Sequence, residues 1–94
     1  MLEREVEKKL VDGVRRMGGR AYKFVSPGND GVPDRIVVLP DTAPMFVELN
    51  TESGRLSRLQ KVQITRLENL GQNVRVLYGV KDVENFLEEM WNGI

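Results

Sequence analysis

The sequence predicts one α/β domain whose elements follow the order α-β-β-β-α-β-α. Three segments repeat apolar residues at intervals of three and four, which is the spacing of one face of a helix. Four short runs rich in valine and aromatic residues are typical of strands, and glycine, proline and asparagine residues separate them. Because 94 residues with 40% apolar side chains can build one core, we expect residues 1–94 to form a single domain.

The first helix is predicted over residues 2–17 and is amphipathic. Its apolar stripe consists of Val6, Leu10, Val14 and Met17. Two glycines at 18–19 end the helix, and the alternating residues 21–25 predict the first strand. Residues 26–31 combine serine, proline, glycine and asparagine, and therefore predict a loop.

The middle of the chain predicts two neighbouring strands over residues 34–39 and 45–50. The segment 40–44 between them holds two prolines and is expected to be a hairpin connection. If these strands are antiparallel neighbours, Asp34 lies opposite Glu48 or close to it, with Cβ atoms roughly 5 Å apart.

The second helix is predicted to begin after Ser57, because Gln60 follows three residues later as in a capping box. The apolar side of this helix is expected to consist of Leu59, Val62, Leu67 and Leu70. Gly71 then ends it. The alternating run 74–78 predicts a fourth strand, and residues 81–91 predict a closing helix. The inward residues of the closing helix are expected to be Val83, Phe86, Leu87 and Met90.

The composition limits the chemistry that the chain can perform. Without cysteine it has no disulfide, thiolate zinc site or cysteine nucleophile, and without histidine it has no histidine base. Oxygen atoms must therefore hold any metal ion, which favours Mg²⁺, Mn²⁺ or Ca²⁺. No run of 18 apolar residues is present, so we expect no membrane span. The balance of 14 basic and 14 acidic residues weighs against a dedicated nucleic-acid binder, but allows a local basic surface.

Asp34 and Glu48 are the leading candidates for metal ligands. Two carboxylates from neighbouring strands can hold one divalent cation, and such cations activate water and stabilise charge in phosphodiester hydrolysis. Asn50 lies two residues beyond Glu48 and therefore on the same face of the strand. The alternatives are that Asp34 is a turn residue after Pro33 and that Glu48 is an exposed residue at a strand end.

Two glutamates of the first helix fall beside its apolar stripe. Glu3 and Glu7 are neighbours at i and i+4, so both can point at one site. A carboxylate that faces a core is costly unless it is paired or binds a cation. The alternatives are that Glu3 only interacts with the helix dipole and that Glu7 is solvated at the edge of the stripe.

Three motifs together resemble the virus-type replication-repair nuclease domain, VRR-NUC, of the PD-(D/E)xK superfamily. They are Gly-Val-Pro-Asp-Arg-Ile-Val at 31–37, Phe-Val-Glu-Leu at 46–49 and Gly-Arg-Leu-Ser-x-Leu-Gln at 54–60. Tyr-Lys-Phe-Val-Ser-Pro-Gly at 22–28 also fits the short stand-alone versions of phages and bacteria. The resemblance covers nearly the whole chain. It implies a restriction-endonuclease-like αβββαβα fold, with a mixed four-stranded sheet flanked by helices.

The resemblance also implies roles for individual residues. Asp34 and Glu48 would bind Mg²⁺ or Mn²⁺, and the carbonyl of Leu49 would complete the coordination. A glutamate of the first helix, Glu3 or Glu7, would orient water or the metal.

Gln60 would lie at the edge of the same site, near the metal or the scissile phosphate, unless it serves only as a capping residue. The candidates for DNA contact share a positive charge and are Lys23, Arg35, Arg55, Arg58 and Lys61. Arg55 and Arg58 flank the start of the second helix, where the helix N-terminus also favours phosphate. Each of these charges is alternatively a solvated surface residue.

Stand-alone members of the family resemble Holliday-junction resolvases. The resemblance therefore implies a homodimer that acts on branched DNA in repair, in the cytoplasm of a bacterial or phage-infected cell. Two-fold symmetry would suit a four-way junction that is cut on two strands. The last helix, with Phe86, Met90 and Trp91, is the expected source of apolar dimer surface, and ordinary core packing is the alternative.

Asn50 departs from the family pattern because it stands where Glu-x-Lys has lysine. The lysine can position the attacking water and stabilise charge on the phosphate, whereas asparagine is shorter and neutral. We therefore expect metal binding to be kept and cleavage to be much slower. Lys23 and Lys61 are the nearest candidates to replace the lysine, and neither clearly does. A naturally divergent site and an inactivating change both fit Asn50.

The predicted function is a metal-dependent, structure-specific endodeoxyribonuclease, a hydrolase similar to junction resolvases and impaired by Asn50. The alternative is a module that binds branched DNA without cleaving it. A third class is a small α/β protein that binds some other anionic ligand.

Overall fold

The computed structural model describes residues 3–93, and its elements follow the order that the sequence predicts. They are α1 (Glu3–Arg16), β1 (Arg20–Lys23), β2 (Arg35–Val38), β3 (Met45–Asn50), α2 (Arg58–Asn69), β4 (Val74–Tyr78) and α3 (Gly79–Gly93). Leu2, which the periodicity placed in the first helix, lies outside the described residues, as do Met1 and Ile94. The α/β class and the α-β-β-β-α-β-α order are confirmed.

The four strands form one mixed sheet in the order β1-β2-β3-β4. β1 pairs antiparallel with β2 and β2 with β3, whereas β3 and β4 are parallel. The connections explain these directions, because a short turn joins β2 to β3 while α2 crosses over between β3 and β4. In the short turn Asp41 adopts a φ of 57°, a left-handed conformation that aspartate tolerates.

The hydrophobic core lies between α1, α3 and one face of the sheet. α1 buries most of its predicted stripe, and the helical residues of the core are Val6, Leu10, Val14, Val83 and Phe86. The strands and the turn after β2 contribute Val37, Leu39, Met45, Val47, Leu49 and Leu77. Since neighbouring residues of a strand point to opposite faces, Glu48 and Asn50 lie on the other face of the sheet.

α1 and α3 approach each other closely at Gly13. A Cβ atom at this position would lie 2.3 Å from Leu87 Cδ1, so any larger residue would displace the Leu87 side chain. This close approach explains a glycine in the middle of an otherwise regular helix.

The inward side of α2 differs from the prediction. Three residues expected on its apolar side are exposed, namely Leu59, Val62 and Leu70. The buried apolar residue is Ile64, and Leu67 is half-buried beside it. Gln60 and Gln63 also turn inward, where their amides donate hydrogen bonds to groups outside the helix. These polar contacts lie on the same side of α2 as Ile64 and Leu67, and an apolar pattern alone does not reveal them.

Some predicted ends are shifted by a few residues. β1 ends at Lys23 instead of residue 25, and α3 begins at Gly79 instead of residue 81. The second shift has a local cause, because the Asp82 side chain accepts a 2.8 Å hydrogen bond from Tyr78 N–H at the start of α3. Within residues 3–93, no helix is both long enough and apolar enough to cross a membrane.

Candidate active site

Asp34 and Glu48 meet where β2 begins and β3 ends. The antiparallel register pairs Arg35 with Val47. Asp34, one residue earlier, therefore lies opposite Glu48, one residue later, in the arrangement expected from the sequence. Asp34 Oδ2 accepts a 2.8 Å hydrogen bond from Leu49 N–H. This bond ties the Asp34 side chain to the strand that carries Glu48.

Glu48 is a carboxyl group enclosed by protein. The residue is 2% exposed, and its Oε1 atom has no hydrogen-bond partner among the described residues. Burial, then the charge of Asp34 and to a lesser degree that of Glu3, raise the pKa of Glu48 to about 8. A buried carboxyl beside a second carboxylate is costly as an anion unless a cation compensates it. The arrangement therefore favours either a bound proton or a bound cation.

Gln60 connects the N-terminus of α2 to Glu48. Ser57 caps the helix, since its Oγ accepts the Gln60 N–H at 3.1 Å and its own N–H donates to Gln60 Oε1 at 2.7 Å. Because this capping box occupies the amide oxygen, the amide nitrogen faces the site and donates to Glu48 Oε2 at 2.7 Å. Gln60 is thus at once a capping residue and a neighbour of the carboxylate pair.

Asn50 lies on the same strand face as Glu48, as the alternation of side chains along β3 predicts. Its side chain is half-buried, and Nδ2 is buried without a hydrogen-bond partner in the part of the chain that is described. Gly54 packs against it, because a Cβ atom on Gly54 would lie 3.1 Å from Asn50 Oδ1. The parallel register also places Tyr78 of β4 beside Asn50. Tyr78 was not singled out from the sequence, because pairing across a crossover leaves no local signal.

The two glutamates of α1 have different partners. Glu7 Oε1 forms an ion pair of 3.0 Å with Arg35 Nη2, and Arg35 Nη1 also donates to the carbonyl of Ala21 at 3.0 Å. Glu3 is exposed, and its charge contributes to the raised pKa of Glu48. Glu3 is therefore a carboxylate of α1 whose field reaches Glu48, while Glu7 is engaged with Arg35.

The basic residues expected to contact DNA divide between the two faces of the sheet. Lys23 pairs with Arg35 in the β1–β2 register, so both side chains leave the sheet on the side of α1, away from Glu48. The other three are exposed in α2 and in the loop before it, and they are Arg55, Arg58 and Lys61. Since Gln60 of α2 contacts Glu48, these three lie on the side of the carboxylate pair.

The atoms around Glu48 suit a hard divalent cation. Asp34 and Glu48 offer carboxylate oxygens and Leu49 offers a backbone carbonyl, which are the ligand types of Mg²⁺ and Mn²⁺. Between residues 3 and 93 no group of three or more acidic, histidine or cysteine side chains is arranged to hold a metal. Mg²⁺ sites commonly use only one or two carboxylates and complete their coordination with water and phosphate oxygens. The unpartnered Glu48 Oε1 fits such a site.

The chain is similar to known proteins in both sequence and structure. Over 75 residues it is 48% identical to "Putative nuclease p44" of Acyrthosiphon pisum secondary endosymbiont phage 1, covering 80% of the chain and 81% of that protein. It superposes on a solved VRR_NUC domain with a TM-score of 0.85 and 30% identity, over 92% of the chain and 94% of that domain. A solved VRR_NUC domain protein shares the fold with a TM-score of 0.75 and 19% identity, over 95% of the chain and 87% of that protein. No family model matches the sequence.

Proposed function

We propose that this chain, which belongs to the VRR-NUC family of nucleases, is a metal-dependent endonuclease that hydrolyses phosphodiester bonds in branched DNA. The proposal rests on the buried Glu48 carboxyl beside Asp34, with one oxygen left unpartnered within the described residues. Such a pair is costly for stability, because a buried carboxyl without a full set of partners is unfavourable. A cation site for phosphodiester hydrolysis gives the pair a chemical role.

Asp34, Glu48 and the carbonyl of Leu49 are the proposed ligands of Mg²⁺ or Mn²⁺. When bound, the cation would activate a water molecule and stabilise charge on the phosphate. The protein's own contribution is placement, because Leu49 N–H holds Asp34 and the Gln60 amide holds Glu48. Outer contacts of this kind orient the ligands and tune the affinity for the metal.

We assign the catalytic carboxylate of α1 to Glu3. Its charge acts on Glu48, whereas Glu7 is held by Arg35 on the α1 side of the sheet. A carboxylate whose charge reaches the cation site can accept a hydrogen bond from the attacking water and orient it.

Asn50 is expected to slow the reaction without removing the cation site. Its amide can donate a hydrogen bond to water or phosphate, but it supplies no positive charge to the transition state. Loss of one such electrostatic partner commonly lowers the rate about 100- to 1,000-fold. Cation binding depends on Asp34 and Glu48 and is retained.

A homodimer on a four-way junction is the proposed working form. Two sites related by a two-fold axis can cut two strands of a symmetric junction. Of the three residues of α3 expected at this surface, Phe86 is 2% exposed and Met90 is half-buried against the core, whereas Trp91 is 67% exposed. Trp91 is therefore the residue most available to a second copy. Trp91 borders a surface hollow together with Met17, Pro40 and Asp41. A large aromatic side chain beside a hollow is a favourable anchor for an interface.

A module that binds branched DNA without cleaving it is the second candidate. Asn50 favours this alternative, because a binding module has no need of the motif lysine. The carboxylate pair would then hold a cation that serves only to bridge protein and phosphate.

Cleavage of a labelled four-way junction, compared with a linear duplex and a splayed arm in Mg²⁺ or Mn²⁺, distinguishes the two candidates. The chain is assayed beside Asn50→Lys and beside Asn50→Met, in which a long uncharged side chain approximates the length of lysine without its charge. We expect the Asn50→Lys variant to cut the junction about 100- to 1,000-fold faster than the chain, and the Asn50→Met variant to show no such gain. If neither the chain nor the Asn50→Lys variant cuts any of these DNAs while both bind Mn²⁺, the nuclease proposal is rejected in favour of the binding module.

A further inference from the structure

Positive charge is concentrated in one segment of a chain that is neutral overall. Residues 53–67 contain no carboxylate, and their four cations are Arg55, Arg58, Lys61 and Arg66. The rest of the chain therefore holds ten of the 14 cations and all 14 carboxylates. Most of this segment belongs to α2, whose one carboxylate, Glu68, comes directly after it. With three cations, Arg58, Lys61 and Arg66, against this one carboxylate, α2 is the basic helix of an otherwise acidic protein.

The cations of α2 lie on the side of the helix that faces away from the sheet. Gln60, Ile64 and Leu67 occupy the inward side. The opposite side borders a shallow hollow, and we define it as the outer face of α2, formed by Arg58, Lys61, Val62, Thr65, Arg66, Asn69 and Leu70. All seven residues of this face are exposed.

The charges on the outer face are uncompensated. Within residues 3–93, the ion pairs involve Lys8, Lys9, Arg35 and Arg75, and none involves a cation of α2. On α1, by contrast, Lys8 pairs with Asp12 and Lys9 with Glu84. A row of unpaired cations with no carboxylate among them attracts a polyanion.

We propose that the outer face of α2 binds the sugar–phosphate backbone of DNA and leads one strand away from the Asp34–Glu48 site. The inference rests on the proposed function, because it takes DNA as the substrate. We call the outer face in this role the phosphate track. One end of it is at the site, where Gln60 near the N-terminus of α2 contacts Glu48.

The dimensions of α2 suit a phosphate track. From Arg58 to Arg66 the helix rises about 12 Å. This length matches about three or four phosphates of one strand when α2 lies along a duplex, in which each strand carries one phosphate per about 3.4 Å of helix axis. Thr65 and Asn69 add neutral hydrogen-bond donors of the kind that also contact phosphates. Val62 lies between the cations and can pack against the sugars.

A second copy of the chain is a poorer occupant of this face. An antiparallel pairing of two α2 helices about a two-fold axis would bring Arg58 of one copy toward Arg66 of the other. Like charges brought together in an interface oppose association. DNA phosphates compensate the same charges, so charge complementarity favours the backbone.

Binding of a labelled four-way junction in EDTA, measured by fluorescence anisotropy over a range of salt concentrations, tests this surface without cleavage. One variant combines Arg58→Gln, Lys61→Gln and Arg66→Gln. The control variant combines Arg4→Gln, Arg15→Gln and Arg16→Gln, which remove the same charge from exposed positions of α1. Each lost phosphate contact reduces the slope of log K against log salt by about 0.9. We therefore expect the α2 variant to lose about two to three units of slope and the control variant to keep the slope of the chain.

Two results would overturn the inference. One is an unchanged slope in the α2 variant, and the other is an equal loss of slope in both variants. An unchanged slope that comes with a change of oligomeric state would identify the outer face as a protein interface. Circular dichroism checks that each variant is folded. The outcome is separable from the proposed function, because a lowered slope with no cleavage by Asn50→Lys would support the track and reject the nuclease. Cleavage by Asn50→Lys, together with an unchanged slope in the α2 variant, would support the nuclease and reject the track.

Discussion

Gln60 Nε2 donates a 2.7 Å hydrogen bond to Glu48 Oε2, while Gln60 Oε1 accepts the Ser57 N–H at 2.7 Å. One side chain thus joins the N-cap of α2 to the buried carboxyl of β3. Because the backbone N–H of Ser57 occupies the amide oxygen, only the amide nitrogen can face Glu48. The same contact explains why α2 turns Gln60 toward the sheet and leaves Leu59 exposed.

Substitutions at Ser57 and Gln60 should separate helix capping from support of the cation site. Ser57→Ala removes the hydroxyl cap but keeps the backbone N–H that orients Gln60, so we expect a loss of about 1 kcal/mol in unfolding free energy. The affinity of the Ser57→Ala variant for Mn²⁺ should stay close to that of the unaltered chain. Gln60→Ala also removes the bond to Glu48 and should weaken Mn²⁺ binding about 10- to 100-fold. Urea unfolding and Mn²⁺ titration give the two quantities, and equal Mn²⁺ affinities in the two variants would contradict the role of Gln60.

Replacing Glu48 should change how stability depends on pH when divalent cations are absent. The pKa of Glu48 is raised from its usual 4.5 to about 8, so between these values the folded state keeps a proton that the unfolded state has released. The stability linked to this proton is fully present below pH 4.5, the usual pKa, and is lost as the pH rises through about 8, the pKa in the folded state. For one proton the loss is at most about 1.4 kcal/mol per pH unit.

Glu48→Gln removes the titrating group, so its unfolding free energy should lack this decline between about pH 5 and pH 8. Glu88→Gln, at an exposed position of α3, is the control and should decline as the chain does. Urea unfolding in EDTA at several pH values measures the difference. Parallel pH profiles for the chain and Glu48→Gln would show that Glu48 does not titrate as described.

The two glutamates of α1 should respond differently to neutralisation. Glu3→Gln removes a negative charge that acts on Glu48, so Mn²⁺ binding should weaken several-fold. Glu7→Gln leaves the largely buried Arg35 guanidinium without its ion pair, so unfolding free energy should fall by about 1 kcal/mol. Its Mn²⁺ affinity should be unchanged. The assignment of Glu3 fails if Mn²⁺ titration shows the larger loss for Glu7→Gln.

The rotation of α2 can be tested by truncating one residue on each side of the helix. Ile64 is 9% exposed and packs inward, so Ile64→Ala should lower the unfolding free energy by about 2 to 4 kcal/mol. Leu70 is 68% exposed, so Leu70→Ala should change it by less than about 0.5 kcal/mol. Urea denaturation measures both, and a larger effect at Leu70 would restore the side of the helix that the apolar pattern indicated.

The opposition of Asp34 and Glu48 was predictable from the sequence because it depends on local structure. A short prolyl turn makes the two strands antiparallel neighbours, and strand alternation then decides which side chains share a face. Ser57 and Gln60 were likewise predictable as a capping box, since that motif spans only four residues.

Contacts between distant segments were not predictable in the same way. Leu70 was expected on the apolar side of α2 but is exposed, whereas Ile64, which was not singled out, is buried. The contact of Gln60 with Glu48 joins α2 to β3 on the inward side, and the apolar periodicity of α2 does not contain it. The ion pair of Glu7 with Arg35 joins α1 to β2, and the pairing of Asn50 with Tyr78 depends on the parallel order of β3 and β4. Each depends on tertiary placement, which periodicity within one element does not contain.

The most direct test of the central claim is a Mn²⁺ titration of the chain at about pH 8, near the upper pKa of Glu48. Asp34→Asn is compared with Asp30→Asn, which removes the same charge from an exposed loop position. We expect the chain and Asp30→Asn to bind one Mn²⁺ per chain with similar affinity, and Asp34→Asn to bind it at least about 10-fold more weakly. Mn²⁺ binding that is absent from the chain, or that is unaffected by Asp34→Asn, would contradict the assignment of Asp34 and Glu48 as a cation site.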